Sequence, residues 1–360
     1  MIATLIFILI LSLLIIVHEF GHFIAARRNG VRVENFSLGF GPQLFKKKVG
    51  DTEYSLSLIP LGGYVKMAGD TLSECKGRSD EYFSKSPGVR FQIIFCGPLL
   101  NYILGFLFFW VILFAGYPTQ TSKVGGLIDG YGAKVAGLQV ADKIIAINGI
   151  PVDTWEEMQK QIQENKNKSP IVVSLMRNNQ KLEFNIALKS KVLDNQLGEK
   201  KTLGIIGITP FDEVVSVRHG LIESAYLGLK KTVDLTIMTY KGIWRLASGK
   251  MSMRDSMTGP LGILDFTAKI ARLGIIALIH WIAVLSVSLA VFNLLPLPIL
   301  DGGHIFLLGL EKLRKRTLGP KTEQIVNNIG VSLMIVLALF VTYNDILRLY
   351  GDKISKIMTK

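Results

Sequence analysis

Residues 2–26 read IATLIFILILSLLIIVHEFGHFIAA, and this stretch decides the fold class. A run of that length and apolarity can cross a hydrocarbon core as one helix. No basic region precedes it and no small-x-small cleavage site follows, so it reads as a retained helix rather than a signal peptide. Its charged and imidazole side chains gather at one end. His18 and His22 are four apart and share a helical face, a spacing at which two imidazoles grip one Zn2+. Glu19 stands beside them, where a carboxylate can hold and deprotonate a water at the metal. The bland alternative is a solvated helical face. That suits a soluble protein, but the end of a membrane span offers little solvent for three such groups.

Three further stretches are apolar and free of Lys and Arg: Phe91–Gly116, Ile275–Gly303 and Ile325–Tyr343. Of the 360 residues 49% are hydrophobic and 19% charged, below the ~25% charged of soluble domains. The net charge is nevertheless +13, from 41 basic and 28 acidic residues. That combination fits a membrane protein with basic loops, and no nucleic-acid partner is expected. Cys75 and Cys96 make neither a disulfide framework nor a zinc ribbon. Of the 28 acidic residues, Glu19 and Asp301 alone fall within the four apolar stretches. A charge at bilayer depth costs roughly 2.5–3.5 kcal/mol or more, so each points to function.

Asp301 belongs to Asn293–Gly303, NLLPLPILDGG. Pro296 and Pro298 lack N–H groups and break the helical ladder there. Broken helices at membrane depth occur where they are buried in protein or line a wet cavity. Catalytic zinc takes three protein ligands and an open fourth position. Asp301 is the candidate third ligand; its alternative role is to cap a helix end. Orientation follows from basic loops. Arg27, Arg28, Lys46, Lys47 and Lys48 follow the first span, and Lys312, Arg314, Lys315, Arg316 and Lys321 separate the last two. The positive-inside rule puts both loops, and with them the metal end of the first span, on the cytoplasmic side. Lys269, Arg272 and a basic tail run against that assignment.

The HEFGH motif on a first span, paired with Asn293–Gly303 on a later one, resembles the site-2 protease family of intramembrane zinc metalloproteases, in its bacterial regulator of sigma-E protease type. FSLGFGP (36–42), YSLSLIPLGGYVKM (54–67) and GPLLN (97–101) match the same family, so the resemblance covers most of the chain. It implies one Zn2+ per chain on His18, His22 and Asp301, with Glu19 as catalytic base. It also implies substrate-binding roles for Asn293, the opened backbone at Pro296 and Pro298, and Gly62 and Gly63. The implied setting is the bacterial inner (plasma) membrane. The implied activity is regulated intramembrane proteolysis, releasing a transcription regulator or clearing signal-peptide remnants.

The expected fold is a mostly α membrane protein. Four transmembrane helices carry a membrane-associated β segment in the first loop and one extracytoplasmic PDZ-like α/β domain. The divisions fall at 1–116, 117–190, 191–274 and 275–360. Tyr54, Leu56 and Leu58 alternate with Ser55 and Ser57, as in a strand. That strand is either a plain hairpin or an edge that pairs with unwound substrate. Gly137–Gly149, a helical run Trp155–Gln163, and strands Ile171–Arg177 and Lys181–Ala187 around Asn178-Asn179 resemble a PDZ domain, with Ala141 where a glycine is usual. Val124–Ile128 would line its groove. This domain either binds peptide ends or filters by size. Leu221–Ser248 is apolar but carries six charges and reads as an interfacial amphipathic helix, a fifth span being the alternative. His219, His280 and His304 read as packing or interface residues. The expected partners are a single-pass membrane protein substrate, the lipid bilayer and a peptide ligand of the PDZ-like domain. Rival readings are a non-enzymatic membrane PDZ scaffold and a zinc transporter.

Overall fold

The structure is a computed structural model and describes residues 2–194, 199–315 and 319–358; Arg316 of the second basic loop lies outside them. The elements begin with α1 (Ile2–Arg28), β1 (Val33–Val49), β2 (Thr52–Met67) and α2 (Pro87–Ala115). Next come β3 (Tyr117–Gln120), β4 (Val124–Leu127), α3 (Gly132–Val135), β5 (Lys143–Ile147), β6 (Ile150–Pro151), α4 (Trp155–Glu164), β7 (Ile171–Arg177) and β8 (Gln180–Ile186). Four more strands follow: β9 (Lys189–Asp194), β10 (Lys200–Ile205), β11 (Ile208–Pro210) and β12 (Val214–Val217). The chain ends with α5 (Leu221–Ala247), α6 (Met253–Ser256), α7 (Pro260–Ala271), α8 (Ile275–Asn293), α9 (Asp301–Arg314) and α10 (Pro320–Met358).

Among the described residues four helices are long and apolar enough to cross a membrane: Ile2–Arg28, Pro87–Ala115, Ile275–Asn293 and Gln324–Leu349. They are apolar all round, and their large side chains point outward, as at Val336 and Leu339, the pattern of a helix solvated by lipid. The third span differs from its expected range. It stops at Asn293, and Leu294–Leu300 form an unwound elbow before α9 begins at Asp301. Two causes combine. The prolines cannot continue the ladder, and Gly302 and Gly303, lacking Cβ atoms, seat the first turn of α9 directly on the carbonyls of Leu294, Leu295 and Leu297.

The chain divides into two compact units: Met1–Ile112 with Ser224–Leu246 and Ser252–Lys360, and Leu113–Glu223 with Ala247–Met251. In the first, β1 and β2 pair as an antiparallel hairpin, and each bends. Residues 35–38 of β1 lie against 53–56 of β2 on one side and against 63–66 on the other. The later part of β1 pairs with the same first half of β2, through Lys46↔Ser55 and Lys48↔Glu53. Phe23, Ala26, Val33, Tyr82, Ile93 and Leu308 form the core beside this sheet. On α5, Ser224, Gly228 and Thr232 make a buried stripe of small residues. The stripe lets Gly228 approach the backbone at Trp110, the small-residue contact typical of helices in lipid. Farther along, Thr236 and Ile237 line one groove together with Tyr102 and Ile103. The helix expected at the membrane interface therefore runs alongside α2, from Trp110 to Tyr102.

In the second unit β6, β5, β7 and β8 form a four-stranded sheet in that order. Trp155, Met158 and Ile162 of α4 pack onto Ile144, Ile147, Ile171 and Leu175. The helix starts with a capping box, Thr154 Oγ1 accepting from the Glu157 N–H at 3.2 Å and Glu157 accepting from the Thr154 N–H. Asn178 and Asn179 have φ of 50° and 63°, the primed turn their identity predicts. The expected boundary at 190 is moved: β11 pairs with β4, and β12 with β3, through Val215↔Thr119 and Val217↔Tyr117. Residues 208–217 thus return into this unit, because β3 and β4 satisfy their backbone groups on these strands.

Candidate metal centre

Three side chains from two helices converge. His18 Nε2 lies 3.1 Å from Asp301 Oδ2, His22 Nε2 lies 3.5 Å from Asp301 Oδ1, and the two Nε2 atoms are 3.2 Å apart. The i, i+4 spacing on α1 brings the imidazoles together, their ring centroids 4.8 Å apart. The elbow after α8 returns Asp301 to them as the first residue of α9. The N-cap is Leu300, with no side-chain cap bond, so Asp301 is not serving as the cap. All three side chains are largely buried, 11–16% exposed.

The cluster suits a cation. His22 Nδ1 donates to the Ile93 carbonyl at 2.9 Å, which turns the lone pair of Nε2 toward the centre, as an outer partner does for a metal-bound histidine. Asp301 Oδ2 is buried without a hydrogen-bond donor. Unprotonated nitrogens facing a carboxylate at these distances repel one another unless a positive charge sits among them. A tetrahedral zinc site with bonds of about 2.0–2.1 Å has edges of roughly 3.3 Å, and the three observed edges bracket that length.

The neighbours explain how such polar groups are housed. Gly97 of α2 faces the rings, and a Cβ there would overlap His22 Nε2 and press on His18 Cε1. Gly21 makes room in the same way for the α2 backbone at Cys96. The edge 63–67 of β2 runs beside Glu19. A Cβ on Gly63 would stand 3.3 Å from Glu19 Cγ and 2.9 Å from the Ser37 carbonyl. Gly62, with φ of 140°, instead faces the Phe40 ring. Asn293 Nδ2 lies 3.4 Å from both ring nitrogens of His18. Pro296 is exposed and Pro298 packs on Gly330 of α10, so the prolines shape the elbow from outside the cluster. A cavity of about 450 Å³ opens beside Glu19, His22 and Asp301. Its wall includes His304, expected as a packing or interface residue, and Tyr82, Arg90 and Glu311, which no sequence motif marks.

The model of Peptidase family M50 matches residues 6–337. A Campylobacter jejuni protein carrying the provisional name zinc metalloprotease is 33% identical over 348 residues, 96% of this chain and 93% of that one. Zinc metalloprotease RasP of Bacillus licheniformis is 30% identical, covering 96% of this chain and 98% of its own. Regulator of sigma-W protease RasP of Bacillus subtilis is 28% identical with the same coverage. Among solved structures, the PDZ domain of the SdrC-like protein of Listeria monocytogenes matches 26% of this chain and 90% of its own length at 20% identity, with a TM-score of 0.21.

Proposed function

We propose, from the premise that the chain belongs to peptidase family M50 and is a zinc metalloprotease, that it hydrolyses a peptide bond within or near the transmembrane segment of a single-pass membrane protein. The observation that carries this reading is the cluster of His18, His22 and Asp301, its edges 3.1–3.5 Å, assembled between α1, a helix of membrane-span character, and the start of α9, with Glu19 alongside. These three residues would hold one zinc per chain. When bound, the metal supplies Lewis acidity that polarises a carbonyl and acidifies the attacking water.

The other groups have separate tasks. Glu19, in the cavity beside His22 and Asp301, takes the proton of the attacking water and delivers it to the leaving nitrogen. A helical substrate hides its peptide bonds in i to i−4 hydrogen bonds, so it must unwind before attack. The edge 63–67 passes beside Glu19, and an extended substrate would pair with it as an added strand. Asn293 and the unwound elbow would hold the far side of that strand. The β-rich unit at Leu113–Glu223 would act as the PDZ-like domain on the extracytoplasmic face, binding peptide ends or filtering by size. The active site would face the cytoplasm. By the family resemblance the substrates are anti-sigma factors or signal-peptide remnants.

Purified protein, assayed for zinc and for cleavage of a model single-pass substrate, tests the reading. Glu19→Gln is expected to keep its zinc and to lose cleavage by at least ~10²-fold, the scale of a general base. Full cleavage by that variant would overturn the mechanism. Zinc movement across vesicles without cleavage would favour a transporter, and peptide capture without zinc or cleavage a scaffold.

A further inference from the structure

The cavity beside the metal cluster also reaches an ion pair that the proposed chemistry leaves unused. Arg90, near the start of α2, donates through Nη2 to Glu311 Oε1 near the end of α9. Arg90 is buried and Glu311 largely so, 3% and 13% exposed. The guanidinium lies over the rings of Tyr82 and Phe83, 6.0 and 5.1 Å from their centroids. Rings on its face and a carboxylate on its edge fix its position.

What this pair joins matters more than its strength. Glu311 lies ten residues beyond Asp301 on one continuous helix, a rigid arm of about 15 Å. On α2, Arg90 is followed by Ile93, whose carbonyl orients His22, and by Gly97, which faces both histidine rings. One helix therefore contacts the histidine ligands directly and grips the far end of the helix that carries the third ligand. At its near end, α9 is seated on an unwound elbow and has no side-chain cap. A small rotation of the arm at Glu311 would swing the Asp301 carboxylate out of register with two imidazoles that α2 holds still.

We propose that Arg90 and Glu311 are positioning residues of the metal site: their ion pair sets the orientation of α9 and so holds Asp301 at the distance the two histidines require. This rests on the reading that His18, His22 and Asp301 bind zinc. The alternative is that the pair only stabilises the fold.

Zinc affinity of the purified full chain, by competition with a chelator, separates the two when measured for Glu311→Ala, Asp301→Ala and the double variant. Loss of an outer partner of a metal ligand costs roughly ten- to a hundredfold in affinity, and that loss is expected for Glu311→Ala. In the Asp301→Ala background the same change should cost no more than about twofold, because residues acting through one another are not additive. A lowered melting temperature with unchanged affinity, or an equal loss in both backgrounds, would overturn the proposal. If Glu311→Ala does not fold, Glu311→Gln is put through the same comparison, with the same outcomes deciding. An Asp301→Ala protein with undiminished affinity would remove the metal reading itself. An effect of Asp301→Ala without one of Glu311→Ala would remove the positioning role alone.

Discussion

At the scale of single residues, the proposed metal cluster depends on what Gly97 lacks. The two imidazoles occupy the space a side chain would need, and the nearest atoms belong to rings held by the Ile93 carbonyl and by Asp301. Those rings cannot retreat without breaking the ligand geometry. Gly97→Ala is therefore expected to weaken zinc binding by roughly ten- to a hundredfold, the scale of a disturbed outer shell, while the helical content stays unchanged. Metal analysis after dialysis against a weak chelator would check it, and full retention of zinc would show that the rings have room to move. Asn293 makes a different case. It touches His18 from the last residue of α8, where the helix gives way to the elbow. If it holds the substrate backbone, Asn293→Ala should leave zinc content intact and lower kcat/KM by about one order of magnitude, the worth of a hydrogen bond to a developing or strained group. Loss of zinc in that variant would make it a partner of His18 instead.

At the scale of elements, local patterns were legible and distant pairings were not. The histidine pair on α1 could be read because i, i+4 is a helical constant, and Asp301 because a carboxylate stands out in an apolar stretch. The Asn178-Asn179 turn and the capped helix at Trp155 carry their geometry in their own residues. Arg90 and Glu311 are 221 residues apart, and each looks like an ordinary charge in a basic loop region. Gly97 is one of 35 glycines. The return of β11 and β12 was hidden because short strands state no partner, only a need for one. Two predictions belong here. Ala141 takes φ of 74° ahead of β5, where a Cβ costs roughly 1–2 kcal/mol; Ala141→Gly should stabilise the β-rich unit by about 0.5–1 kcal/mol after the added freedom of its unfolded chain, read from denaturant melts of Trp155. Glu81 is 1% exposed beneath the Gly69–Ser84 segment. Burial works against its charge, but the Arg78 guanidinium and the N–H groups of Lys76 and Arg78 hold its carboxyl down, from an ordinary 4.5 to about 2. A carboxyl lowered on folding contributes stability above its unfolded value, and that contribution is lost as pH falls from about 4.5 through about 2. Hydrogen exchange of this segment, corrected for intrinsic rates, should lose protection across that window, and Glu81→Gln should be weak at both ends of it.

At the scale of the whole molecule, the proposed metal cluster constrains the path the chain can take across a bilayer. His18 and His22 lie toward the end of α1, and Asp301 follows the end of α8, yet the three side chains meet. The two spans must therefore end on the same side. If α2 crosses as its length and composition allow, it leaves the chain on the opposite side, and α8 must start there too. The segment between must leave and re-enter that side without a net crossing. If α5 crossed alone, α8 would begin on the wrong side and carry Asp301 away from the histidines. If α5 and α7 crossed as a pair, α7 would have to span a core of about 30 Å with 12 residues, about 18 Å of helix. On the proposed metal site, α5, which packs along α2 near Trp110, is therefore expected to enter and leave without traversing. In a chain whose Cys75 and Cys96 are replaced, single cysteines at Lys47 and Lys315 should react with an impermeant reagent from one side of sealed vesicles. Cysteines at Gln180 and Lys250 should react from the other. The positive-inside rule names the first side as cytoplasmic, and the relative pattern holds whichever side that is. Labelling of Lys250 together with Lys47 would mean that α5 crosses, and it would separate Asp301 from the histidines that the metal site needs beside it.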